Sequence, residues 1–369
     1  MAPPIRQFPD LMDAVDILIV VGRVLAVFVL LLATTVFNVW LERKTIADMQ
    51  NRVGPDRAGP FGLLQTVADG LKLFFKEQIT PRKVEYGMFV LAPFLAVIPA
   101  LLLFMVVPFG RPVTIAGRVV PLQGAELNVG VLFVLAMSSL AVYAVVLAGW
   151  SSGSKYPLLG GVRATAQAIS YEAAIGLAIV AVVMFSSTRA GGTLSLSGIV
   201  ESQTGTYLGF IPRWNLFPQL VAFIIFFLAI IAETNRAPFD LVEAEQELVG
   251  GFHTEYSGMR FAMYQLAEYC NIFSMSAICA TLFLGGWDGP TFEGQVPAWV
   301  SAVLPIVWFL VKTYAIIFAF FWIRATMPRL RYDQLMQLGW KRLIPAALIW
   351  LVLSTVAISI RQFGLPWSA

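Results

Sequence analysis

Long apolar runs alternate with short polar ones along most of the chain. Eight runs reach the roughly 20 residues an α-helix needs to cross a bilayer. They lie at about 15–41, 86–107, 128–150, 164–187, 216–235, 259–285, 298–323 and 342–360. An even number of crossings puts both termini on the same side. Residues 61–77 follow a different pattern. Phe61, Leu64, Ala68, Leu71 and Phe75 recur at helical spacing, while Gln65, Asp69, Lys72 and Lys76 mark the opposite face. That pattern, with Lys72 near its centre, predicts a helix lying in the membrane interface, and Pro81 ends it. The polar, Gly-rich stretch 151–163, SSGSKYPLLGGVR, reads as a loop, as do 188–215 and 286–297. The expected fold is therefore an all-α integral membrane protein forming a single polytopic domain over 1–369. It has eight transmembrane helices plus an interfacial amphipathic helix after the first span.

Composition agrees with this reading. The chain is 58% hydrophobic and 13% charged, against about half and a quarter in soluble domains. A net charge of +3 gives no reason to expect a nucleic-acid partner. The first apolar run lacks the basic flank of a secretory signal. Loops 42–85, 151–163, 236–260 and 324–342 hold 17 Lys and Arg residues; the opposite loops and both tails hold 6. This asymmetry places the first set in the cytoplasm and both termini outside. Cys270 and Cys279 lie on opposite sides of one predicted helix, so they cannot bridge each other. Two thiols and one histidine do not supply the usual ligands of an iron–sulfur cluster or haem, so no metal site is expected.

The acids are where chemistry is concentrated. Between Glu233 and Tyr256 stand Glu233, Asp240, Glu243, Glu245, Glu247 and Glu255, opposed only by Arg236. Asp240 and Glu243 fit a capping box, and Gly250-Gly251 a helix stop, so a short helix is expected there. His253, the single histidine, reads as a solvated loop residue. Helical rise places Glu172 roughly 14 Å inside its span and Glu268 roughly 15 Å inside another. Glu233 closes an apolar run, and Glu42 sits at the edge of the first span. Lys312, roughly 18 Å from Arg324, adds a cation at similar depth. Ionisable side chains near hydrocarbon are expensive and default to a functional reading. Graded in depth, these predict a proton path.

Several stretches resemble one family: WLERK (40–44), NRVGP (51–55), GPFGLLQTVADGLKLFFKE (59–77), GSKYPLLGGVRATAQAISYE (153–172), APFDLVEAEQELVGGFHTEYSG (237–258) and RATMPRLRYDQLMQLGWK (324–341). Together they resemble the H-type, quinone-site membrane subunit of respiratory complex I, NADH–quinone oxidoreductase. The resemblance implies a subunit of an NADH:ubiquinone or menaquinone reductase in a bacterial inner membrane. Quinone is then the substrate, and flavin and iron–sulfur clusters sit on partner subunits, with no redox centre in this chain. The implied partners are the peripheral-arm subunits, antiporter-like and small membrane subunits, and the lipid bilayer. Glu42, Arg43, Phe61, Asp69 and Lys72 would frame the quinone entrance and chamber. Glu172, Glu233, Glu243, Glu245, Glu247, Glu255 and Glu268, with Lys312, would couple quinone reduction to proton translocation. Alternatives are the homologous subunit of a ferredoxin-driven quinone reductase or membrane-bound hydrogenase, and a stand-alone secondary transporter.

Overall fold

A computed structural model of the chain describes residues 14–115, 117–190, 193–207, 211–240, 249–290 and 297–363. Its helices are α1 (Ala14–Met49), α2 (Gln65–Phe75), α3 (Tyr86–Met105), α4 (Gly130–Ser151), α5 (Lys155–Ala190), α6 (Leu196–Ser202), α7 (Leu220–Glu233), α8 (Gly258–Phe283), α9 (Ala298–Thr326), α10 (Tyr332–Leu338) and α11 (Ile344–Phe363). A π-helical turn, Gly339–Leu343, joins α10 to α11 as one rod. Two short hairpins, β1 (Val113–Ile115) with β2 (Arg118–Val120) and β3 (Thr206–Tyr207) with β4 (Ile211–Pro212), decorate the loops at one end. The opposite end carries the basic loops and is called the basic end below.

Among the described residues, seven helices are long and apolar enough to cross a membrane. The remaining predicted span, 216–235, is α7, with 14 residues. At 1.5 Å per residue it covers about 21 Å, short of the roughly 30 Å of hydrocarbon. Its start is delayed because Asn215 is held outside the helix. The Asn215 side chain donates to the Leu282 carbonyl at 2.9 Å and to Ser186 Oγ at 3.1 Å.

Two further expectations need correction. The stretch 151–163 is not a loop: α5 begins at Lys155. Gly160 and Gly161 serve close packing instead of a turn. A Cβ on Gly160 would meet the backbone of Gly251 and Phe252 at 2.8–2.9 Å, and one on Gly161 would lie 3.1 Å from the Gly149 Cα. Phe61 is not on the amphipathic helix either. It lies in a preceding 3-10 turn with a φ of 53°, and α2 starts only at Gln65.

Lipid tails are as apolar as leucine, so helices inside a bilayer associate by close packing and hydrogen bonding. The interior shows how. Ala92, Ala96 and Ala100 line one face of α3, Ala144 and Ala148 a face of α4, and all are buried. Small side chains at this spacing let the backbones approach. Aromatic rings fill the wider gaps; Phe104, Phe109 and Phe273 pack with ring centroids 5.3–6.4 Å apart.

Candidate functional site

The carboxyl end of α7 is the pivot of the polar interior. Asn235 adopts a left-handed conformation, φ 52°, which Asn tolerates better than most residues. The Arg236 N–H reaches the Ile231 carbonyl at 3.1 Å and the Asn235 N–H the Ala232 carbonyl at 3.2 Å. This is the Schellman closure of a helix. Gln167 of α5 grips the turn from outside, donating to the Ala232 carbonyl at 2.7 Å and the Phe239 carbonyl at 2.9 Å. The closed turn sends Glu233 one way and Arg236 the other.

Arg236 enters a buried ionic cluster. One of its terminal nitrogens lies 3.0 Å from Glu42 Oε1 of α1, and its Nε lies 3.0 Å from Glu268 Oε1 of α8. Its guanidinium sits 4.7 Å over the Tyr269 ring. Tyr269 donates to Glu42 Oε2 at 2.7 Å, and Arg324, near the end of α9, also pairs with Glu42. Two acids and two arginines thus balance. Burial works against the charge on Arg236; Glu268 and Glu42 outweigh it and hold its pKa well above the ordinary arginine value.

Glu233 takes the other direction. Its Oε1 accepts from Ser138 of α4, and its Oε2 is buried with no hydrogen-bond partner among the described residues. Ser139, the next residue, donates to Glu172 of α5. Glu233 and Glu172 are thus joined through adjacent serines of α4. Between α3, α4, α7 and α8 lies a cavity of about 110 Å³. Ser138, Glu233, Asn235, His253, Tyr264, Gln265, Glu268 and Asn271 supply its polar lining. This leaves room for several water molecules, and each needs two to four polar partners.

Glu268 belongs to both sets, pairing with Arg236 and lining the cavity beside Glu233. A polar line therefore runs Arg324, Glu42, Arg236, Glu268, cavity, Glu233, the Ser138–Ser139 pair, Glu172. The depth reckoning for Glu268 is corrected here. The residue is level with the ends of α7 and α9, because α8 begins beyond them: Ser257, just before it, accepts from the Ile79 N–H at 2.9 Å. Lys312 is separated from the acids. Its ammonium donates to the Gly286 and Asp288 carbonyls at 3.0 and 2.6 Å, in the loop at the far end of α8, and lies 4.9 Å from the Trp214 ring centroid. The four-carbon stem of lysine carries the charge away from its own Cα toward those carbonyls.

His253 is not a solvated loop residue. It is half-buried in a 3-10 turn, Gly251–His253, lines the cavity and lies 5.0 and 5.4 Å from the Phe252 and Phe261 rings. Glu255 follows this turn and is half-buried. Glu243, Glu245 and Glu247, and the helix expected around them, lie outside the described residues.

The residues expected at an entrance form a second assembly where α1 meets α2. Arg43 pairs with Asp69 at 2.6 Å, and Gln65 donates to Asp69 at 3.1 Å. Trp40 Nε1 donates to the Phe61 carbonyl at 2.9 Å. Partial burial works against the Asp69 carboxylate. The hydrogen bonds from Arg43 and Gln65, and the charges of Arg43 and Lys72, outweigh it and hold its pKa below the usual range. Lys72 is exposed. No residue of α2 is buried, and Phe61 and Phe75 are 77% and 81% exposed. A helix with no buried residue is thus clamped to α1 through its polar face and also packs against α8.

Sequence reasoning passed over Ser138, Ser139, Gln167, Tyr269 and Arg324. A Ser-Ser pair inside an apolar run was the available signal. Arg324 was visible only as one more basic loop residue, and Gln167 as one polar residue in α5.

The family model described as NADH dehydrogenase matches residues 22–355. That span takes in most of α1 through most of α11, the ionic cluster, the cavity and the α1–α2 clamp. The chain belongs to the NADH dehydrogenase family, as a membrane subunit of the complex I type.

Proposed function

We propose that this chain is the H-type subunit of a proton-translocating NADH–quinone oxidoreductase. In this reading it forms part of the quinone chamber and its entrance, and couples quinone reduction to proton movement. The observation that carries the reading is the double placement of Glu268, against Arg236 on one side and in the Glu233 cavity on the other.

Reducing a quinone to a quinol consumes two electrons and two protons. The electrons arrive from iron–sulfur and flavin groups on peripheral partner subunits. This chain handles the lipid-soluble end and the charge. The exposed apolar surface of α2 beside Trp40 suits an isoprenoid tail, and the Arg43–Asp69 clamp fixes its angle to α1. A proton demand near Glu42 alters the balance around Arg236, because a guanidinium shared by two carboxylates shifts toward whichever keeps its charge. Glu268 passes that change to water in the cavity. Glu233 Oε2, buried and without a partner among the described residues, then takes or releases a proton, and Glu172 stands beyond it. The acidic residues Glu243, Glu245, Glu247 and Glu255 would join this line to the chamber. The basic end faces the cytoplasm, both termini face the periplasm, and antiporter-like and small membrane subunits receive the signal.

The test is Glu233→Gln and Glu268→Gln in the assembled complex. Electron transfer from NADH to an artificial peripheral acceptor is expected to stay at the wild-type level. Protons translocated per quinone reduced are expected to fall. Normal pumping in both variants would refute the coupling role.

A further inference from the structure

The π-helical turn near the basic end of the last helix has no part in the polar line above, yet it borders a cavity of about 390 Å³. Leu330, Gln334, Gln337, Leu338, Lys341 and Arg342 line it. A π turn inserts one extra residue into a helix and often marks a functional site. Here Gln334, Gln337 and Lys341 recur at helical spacing, and the widened turn sets Arg342 beside them. All four polar side chains are exposed. Neither Lys341 nor Arg342 makes an ion pair among the described residues. The nearby Arg329 and Arg331 are exposed too, while Asp333, the acid of α10, does not line the cavity.

The same face continues along α11 as bare hydrocarbon. Leu348, Ile349, Val352, Leu353 and Val356 are 47–62% exposed. From Arg342 to Val356 the helix rises about 21 Å, more than the roughly 15 Å of one hydrocarbon leaflet. Trp340, 56% exposed and donating to Ser170 Oγ at 3.0 Å, stands at the same level. Tryptophan favours the depth where hydrocarbon meets headgroups.

We infer that this cavity binds the headgroup of an anionic phospholipid whose acyl chains lie along α11. Free phosphate would use the cations and leave the stripe idle. A polypeptide partner would not call for a cationic cup opening directly onto an acyl-length stripe. Lys341 and Arg342 attract the phosphate, the two glutamines donate to its oxygens or to a glycerol headgroup, and the leucines close over the first methylenes. Basic cavities at helix ends recognise anionic headgroups in this way.

The experiment uses the intact complex in phosphatidylcholine vesicles doped with photoactivatable phosphatidylglycerol. Labelling of the peptide spanning 332–356 is measured after proteolysis. Unlabelled phosphatidylglycerol is expected to compete, while phosphatidylcholine and inorganic phosphate are not. Replacing both cations, Lys341→Gln with Arg342→Gln, is expected to weaken labelling about thirty-fold, at roughly five-fold per charge. Gln337→Glu, which leaves the cations in place and adds a negative charge to the cup, is expected to weaken it as well. Equal labelling in wild type and variants overturns the inference. So does competition by inorganic phosphate, or a peptide that stays unlabelled because a partner polypeptide covers it.

Discussion

Replacing Arg236 with Met tests the interior most directly. Arg236 stands between Glu42 and Glu268, 3.0 Å from each, and its side chain is 7% exposed. The cluster of Glu42, Glu268, Arg236 and Arg324 is neutral as it stands; without Arg236 it carries one negative charge. A guanidinium and a carboxylate about 4 Å apart between charge centres attract by about 4 kcal/mol at an effective dielectric of 20. Desolvation of the arginine offsets part of that, and breaking one partner out of a buried ion pair costs about 3–5 kcal/mol. Arg324 and Tyr269 remain on Glu42, so the low end, about 3 kcal/mol, is expected. The double variant Arg236→Met with Glu268→Gln restores neutrality and is expected to recover about 2 kcal/mol. Thermal denaturation of the detergent-solubilised complex, read as a double-mutant cycle, gives both numbers. If Arg236→Met is indistinguishable from wild type, the cluster is not what holds α1, α8 and α9 together. If Glu268→Gln recovers nothing, the Arg236–Glu268 pair is not energetically coupled.

Three more outcomes follow from the geometry. Asn235→Gly is expected to be nearly neutral, apart from the lost contact to Gln167, whereas Asn235→Val forces a β-branched residue to φ 52° and is expected to cost about 1–3 kcal/mol in the same denaturation assay. Gly160→Leu pushes side-chain atoms into the Gly251–Phe252 backbone and is expected to cost about 1–3 kcal/mol and to raise proteolytic cleavage near His253. The Arg43–Asp69 clamp is expected to contribute little, up to about 1 kcal/mol, because both side chains are partly exposed. Asp69 has a lowered pKa in the folded chain, so the clamp's contribution is full above the unfolded value of about 3.9 and fades as pH falls through the folded value. A spin-label distance between α1 and α2 that opens near neutral pH would contradict this assignment.

The sequence made legible whatever rested on long apolar runs or on a single helical face. α3, α4, α8 and α9 stand within three residues of their predicted limits, α1 runs eight residues past its predicted end, and α2 keeps the expected polar face around Asp69. Glycine misled. In 151–163 the Gly160-Gly161 pair reads as turn chemistry, but a helical glycine also permits two backbones to touch, and only the neighbouring segment decides which use applies. Depth was the second weakness. Counting rise from a loop gives position along one helix, while Glu268 and Lys312 depend on where helices start relative to each other and on where a long side chain reaches. The pairing of Arg236 with Glu42, 194 residues away, leaves no trace in either local pattern.

One rod, α5, meets the line at its Glu172 end and also braces the two turns beside it. Gly160 abuts the 251–252 backbone, Gln167 clasps the turn after α7, and Glu172 meets Ser139. Gly160 and Glu172 are twelve positions apart on a stiff cylinder, about 18 Å. Any shove on the His253 turn must therefore tilt or slide that cylinder as a unit. Force applied at its exposed tip arrives at the half-buried Glu172 carboxylate with no proton having travelled between them.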